Sequence, residues 1–128
     1  MDRLYSAWEE LLGWMRTCAQ ELGAEFVVEA HFPDAIYRLH RELRLPTTVM
    51  SASLAFPETG ERFLTASVSP PWARDRGIEV RVVKAHVYLH LHLEEEGLAY
   101  EGRPLTERRL CQIAAAAKKG LAPVLEPA

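Results

Sequence analysis

Between Ile78 and Leu93 apolar residues occupy every second position, first on even numbers (Ile78, Val80, Val82) and then on odd ones (Val83, Ala85, Val87, Leu89, Leu91, Leu93). A period of two is the pattern of a β-strand with one face buried and the other wet. No other stretch constrains the fold as tightly, because a helix cannot bury such a pattern on one side. A strand cannot exchange faces without an extra residue, so the change of parity predicts a β-bulge or sharp bend at Val82-Val83. Residues 83–93 then form one strand whose polar side carries Lys84, His86, Tyr88, His90 and His92. Three of the five histidines share that face, which makes it the first place to look for function.

Helices are expected at both ends. Over residues 2–22, Leu4, Trp8, Leu11, Leu12, Met15, Cys18, Ala19 and Leu22 recur at helical spacing, and Gly23 supplies the stop. Near the other end Thr106 is placed as an N-cap, with Leu105 and Leu110 as a hydrophobic staple and Leu110, Ile113, Ala114 and Ala117 on the buried side. Between them, Phe26, Val28, Ala30 and Phe32 alternate through 25–32. Residues 47–56 and 62–69 form a hairpin about Pro57-Glu58-Thr59-Gly60. Residues 35–43 read either as a short helix capped by Asp34 or as a strand returning through Pro33-Asp34, with the pairing of Glu29 and Arg38 tilting the balance to the strand. Pro70–Gly77 is a loop and Leu98–Glu101 a short edge strand. The fold class is therefore α+β: an N-terminal helix, a mostly antiparallel sheet of four to six strands and a C-terminal helix, with the helices on one sheet face. One domain over 1–128 is expected, with 121–128 as a loose tail.

Composition narrows the function classes. A chain of 128 residues with 48% hydrophobic and 26% charged residues is globular rather than disordered. Its net charge of −3 argues against a protein that mainly grips duplex phosphates. Asparagine is absent and glutamine occurs only at Gln20 and Gln112, a bias suited to a heat-adapted organism. Cys18 and Cys111 both lie on apolar helix faces and read as buried free thiols of a reducing cytosol. The start Met1-Asp2-Arg3-Leu4 is not that of a signal peptide, and no apolar run reaches the roughly 20 residues of a membrane span. A cytoplasmic protein without membrane contact is expected.

Several chemistries compete for the polar strand face. His90 and His92, roughly 6.7 Å apart along a strand, can converge on a metal ion, with Glu94 beside them and His31 or His40 as a third nitrogen donor. The run His90–Glu96 resembles part of the first cupin motif. Lys84 stands where that motif has glycine, and a chain without asparagine cannot supply the second motif, so the cupin assignment is set aside. The histidines then read as wet-face residues that pair across the sheet, and their titration predicts pH sensitivity between about 5 and 7. Ser51, Ser53, Ser67 and Ser69 lie within strands with no exposed nucleophile elbow, and the seven glycines are scattered singly rather than gathered in a phosphate loop. No catalytic residue and no cofactor is assigned. Tyr88, His86 and Lys84, with Trp72, Arg74, Arg76 and Arg81 nearby, could stack single-stranded nucleic acid, but Glu79 and Glu94–Glu96 oppose a phosphate chain.

The sequence thus favours a non-enzymatic interaction or regulatory domain. It would be homodimeric, with a protein partner held by His86, Tyr88, His90 and His92 together with the Trp72, Arg74 and Arg76 loop. Trp14 and Tyr100 are further candidate anchors. The alternatives are a single-stranded nucleic-acid binder and a metal-dependent enzyme or metal binder using His90 and His92.

Overall fold

The apolar stripe of residues 4–22 folds as helix α1 (Arg3–Leu22) in the computed structural model, which describes residues 3–31, 49–69 and 77–123. Seven strands follow in chain order: β1 (Glu25–His31), β2 (Val49–Ala55), β3 (Arg62–Val68), β4 (Ile78–Val82), β5 (Val87–Glu94), β6 (Gly97–Tyr100) and β7 (Arg103–Pro104). Helix α2 (Glu107–Lys118) closes the described chain. The strands lie in one sheet in the order β1 to β7, every neighbouring pair antiparallel. The α+β class and the two flanking helices agree with the sequence. The sheet has more strands than the four to six expected, because the sequence does not announce β7 and one long predicted strand is two. The segment 34–44, read as helix or strand, lies outside the described residues.

One face of the sheet is oily and the helices cover it. Cross-strand registers set Leu54 beside Leu64 and Val82, Ala52 beside Ala66 and Val80, and Val68 beside Ile78 and Leu91. Helix α1 packs on β1 and β2, α2 packs on β3, and the helices pack on each other. Tyr5, Trp8, Leu11 and Met15 of α1 are fully buried, as are Ala114 and Ala117 of α2, whose small side chains permit close approach. Thr106 caps α2, accepting a hydrogen bond from the Arg109 amide at 3.2 Å, while Leu105 and Leu110 are buried on either side as the staple requires.

The parity switch in residues 78–93, expected from a bulge or a sharp bend at Val82-Val83, comes from a full hairpin turn that begins there. Strand β4 ends at Val82, residues 83–86 turn, and β5 begins at Val87 opposite Val82. Partners in an antiparallel pair have a constant sum of residue numbers. Here Ile78 faces Leu91 and Val80 faces Leu89, an odd sum, so the inward set must pass from even to odd numbers. Lys84 and His86 therefore belong to a hairpin turn rather than to the strand face, and His86 has a left-handed φ of 54°. A bulge does occur elsewhere. Leu54 pairs with Leu64 but Ala55 with Arg62, leaving Phe63 as the additional residue of β3. Phe63, which strict alternation would set on the face opposite Leu64, is buried with its ring centroid 5.0 Å from that of Phe56. The β6–β7 hairpin turns on Glu101-Gly102, with φ of 51° and 77°, the two positive values that a type I′ turn demands.

The cysteines are not free thiols. Cys18 of α1 and Cys111 of α2 form a disulfide that joins residues 93 apart in sequence. Cys18 is buried and Cys111 half-buried where the two helices meet, and only the fold brings them together. A second tie joins the same helices: Lys118 Nζ donates to the Leu22 carbonyl at 2.5 Å.

Two stability predictions follow from these elements. Gly13 lies at an exposed position in the middle of α1, and a Cβ there meets nothing within 4 Å. Gly13→Ala should stabilise the protein by about 0.5–1 kcal/mol, raising the thermal midpoint by a few degrees. The double substitution Cys18→Ala/Cys111→Ala releases a closed loop of this length and should destabilise it by about 3–5 kcal/mol. Thermal melts of the wild type with and without reductant check the second expectation independently of the mutations.

Candidate functional site

The outer sheet face is built from cross-strand rows of polar side chains. One row runs Ser53, Thr65, Arg81, Tyr88, and the next runs Ser51, Ser67, Glu79, His90. In the first row the hydroxyls of Ser53 and Thr65 are 2.9 Å apart, and the Arg81 guanidinium lies over the Tyr88 ring, 5.5 Å from its centroid. In the second, His90 Nδ1 is 3.3 Å from the Glu79 carboxylate. Each pair joins directly opposed residues, the arrangement in which neighbouring strands stabilise one another. The β2 and β3 portion is tight, with Ser53 fully buried, whereas the β5 edge is open. Tyr88 is 52% exposed, and the His90 side chain is 69% exposed despite its partner.

Beside this row lies a shallow groove of about 580 Å³, bordered by Ser67, Ser69, Glu79, His90 and His92. Its end is pinned by Ser69, whose hydroxyl accepts from the Gly77 amide at 3.0 Å and donates to the Gly77 carbonyl at 3.1 Å. The groove offers imidazole, hydroxyl and carboxylate groups together, and with Tyr88 it can form both hydrogen bonds and apolar contacts. That combination suits packing against another protein surface.

Of the residues singled out from the sequence, Tyr88, His90, His92 and Glu94 project from exposed positions on β5. His86 lies one turn away at the hairpin, and Trp72, Arg74 and Arg76 lie outside the described residues. The metal candidate is not assembled: among the described residues no three histidine, cysteine or acidic side chains come together as a metal site. His31 belongs to β1, and four strand spacings, about 19 Å, separate that strand from β5. His40 is outside the described residues. Arg81 and Glu79, weighed from the sequence only for and against nucleic-acid binding, are the cross-strand partners of Tyr88 and His90. Their signal is the even-numbered apolar run 78–82, which places both on the same face as the histidines once the hairpin is recognised.

The molecule is thus an α+β layer that covers one side of its sheet with helices and leaves part of the other open, edged with paired polar and aromatic groups. The chain belongs to the NADH-quinone oxidoreductase chain 15 family, whose profile matches residues 1–121. It is similar to NADH-quinone oxidoreductase subunit 15 of Thermus thermophilus, with 48% identity over 120 residues that cover 93% of this chain and 92% of that protein. Membership of a family of oxidoreductase chains agrees with the protein partner expected from the sequence. It corrects the rest of that functional assignment: the chain is neither a free-standing homodimeric regulatory domain nor a nucleic-acid-binding protein. The wet strand face misled because exposed histidine, tyrosine and arginine serve all of these roles equally well.

Tyr100 adds a measurable property. Burial, and then the adjacent Glu101 carboxylate, push its phenol above the ordinary value of 10.0, with Arg109 acting in the opposite sense. A raised folded-state pKa favours the neutral phenol in the fold. The associated stability is present below the unfolded value and is lost as the pH rises through the folded one. Tyr100→Phe should remove one late phenol ionisation from the ultraviolet difference titration of the wild type.

Proposed function

We propose that the chain is a subunit of an NADH-quinone oxidoreductase, held against neighbouring subunits through the open β5 face. The observation that carries the proposal is the 48% identity to subunit 15 of the Thermus thermophilus oxidoreductase, which extends over 92% of that protein's length. Similarity of that extent leaves little of the relative outside the match, so the surface by which it assembles has a counterpart here. Tyr88, His90 and His92 are the exposed side chains best suited to the contact, because aromatic rings backed by a guanidinium present large area with little rotational freedom to lose. His86, at the end of the same hairpin, extends the surface.

The proposal keeps the chain on the cytoplasmic side. No helix among the described residues is long and apolar enough to cross a membrane. A disulfide is compatible with this location in a heat-adapted organism, where intracellular proteins retain such bonds.

The test is co-purification. A tagged wild-type chain expressed in its own cell should bring other oxidoreductase subunits with it. Tyr88→Glu/His92→Glu places two carboxylates on the face. Buried unpaired charge at an interface costs about 2–5 kcal/mol, so this variant should weaken capture by roughly 30-fold or more. Both positions are exposed, so its melting temperature should stay near that of the wild type. A wild-type chain that brings down no oxidoreductase subunit would refute the proposal.

A further inference from the structure

A cavity among the described residues lies beyond the Tyr88–His90 rows, at the end of the sheet. It is a cleft of about 880 Å³ where α1, the β5–β6 hairpin, β7 and the start of α2 meet. Its floor is apolar: Trp14 is half-buried, and Leu98 and Leu105 are almost wholly so. Its rim is acidic, with Glu10 from α1, Glu94, Glu95 and Glu96 from the hairpin, and Glu107 from the first turn of α2. No lysine, arginine or histidine lines it. Two cations stand at its edge without pairing with the carboxylates: Arg3 donates to the Glu94 and Glu95 backbone carbonyls, at 2.8 and 3.1 Å, and Arg109 to the Pro104 carbonyl at 3.0 Å. Among the described residues none of the five carboxylates forms an ion pair. Five of the chain's 18 acidic residues border this one cleft.

We infer that this cleft is a second docking site, and that its occupant is a basic segment of a neighbouring protein. The segment would place an apolar or guanidinium-bearing side chain on Trp14 and set its other cations against the glutamate rim. The occupant follows from charge and shape together. An acidic segment would meet five carboxylates, and a purely apolar one would leave those charges confronting nothing. Arginine satisfies both parts with one side chain, because its guanidinium stacks on an indole and pairs with carboxylates in a planar fork. The N-terminus of α2, which could otherwise attract an anion, is already occupied by the Thr106 cap and carries Glu107. The hairpin holds its three glutamates in fixed relation, since Glu94 pairs with Gly97 across a two-residue turn. That the neighbour is an oxidoreductase subunit rests on the function proposed above. The chemistry of the cleft does not.

The experiment uses the full chain and a probe of defined chemistry, an eight-residue peptide of alternating arginine and leucine, with the glutamate–leucine counterpart as control. Binding is followed by tryptophan fluorescence and calorimetry. The arginine peptide should bind, and its affinity should fall at least about tenfold between low salt and roughly half-molar salt, where charges are screened within a few ångströms. Glu95→Lys/Glu96→Lys should reduce the affinity by about tenfold or more. Glu25→Lys/Glu58→Lys, with the same charge change at exposed sites far from the cleft, should leave it near wild type. Trp14→Phe should abolish most of the fluorescence response while calorimetry still detects binding. Equal loss in the two charge-reversed variants, or no preference for the arginine peptide, would overturn the assignment of the site. Loss of peptide binding in Glu95→Lys/Glu96→Lys with subunit capture from cells unchanged would retain the peptide site and overturn a subunit as its occupant. That outcome is distinct from failure of the wild-type chain to capture any subunit.

Discussion

The inner face of the sheet must be kept from water, and two helices do it. Their contributions are unequal. Helix α2 is locally encoded, with a threonine cap, Glu107 in its first turn and Lys118 in its last, each placed to complement the helix dipole. Helix α1 has no acidic residue in its first turn and no basic residue in its last, and it carries an exposed glycine at mid-length. Such a helix has little reason to persist in isolation and depends on the burial of Tyr5, Trp8, Leu11 and Met15. The cation missing from its C-terminal end is supplied by its neighbour, since Lys118 of α2 donates to the Leu22 carbonyl. The sheet, α1 and α2 therefore stand or fall together, and the surface groups of the outer face inherit their positions from that arrangement.

On the other side the same sheet carries a different kind of order. Its rows alternate hydroxyl, cation, aromatic and carboxylate, and each exposed group is steadied by a residue on the next strand. This gives the β5 edge a defined shape without covering it. The acidic cleft is made otherwise, from four elements that meet at the end of the sheet rather than on its face. A chain of this size thus presents two surfaces of unlike chemistry. One offers rings and imidazoles, and the other offers carboxylates around an indole.

Much of the fold can be read along the chain. The stripe of α1, the Thr106 cap with its Leu105–Leu110 staple and the hairpin around Gly60 depend on residues a few positions apart, and the structure contains all of them. What is not legible depends on partners distant in sequence. A parity switch arises equally from a bulge or from a hairpin with an odd register sum, and nothing near Val82 distinguishes them without β5 in place opposite β4. The Phe63 bulge is hidden for the same reason. Each cysteine sits plausibly on an apolar helix face, and only helix–helix packing shows that the two faces are one. The candidate site divides similarly. Tyr88, His90 and His92 follow from alternation on β5, whereas the cleft joins Glu10 to Glu95 and Glu107, which no local spacing could suggest. The family itself is marked by no short catalytic motif in this chain, which is why the residues alone leave the function open.

The bond between Cys18 and Cys111 also changes the connectivity of the molecule. Everything from one cysteine to the other becomes a covalent ring, and the sheet lies wholly within it. A single peptide cleavage anywhere in that ring opens a circle instead of producing two pieces. The strands on either side of the break stay tethered at high local concentration and can re-form their pairings. The protein can thus survive a nick in its backbone for as long as the two sulfurs remain joined.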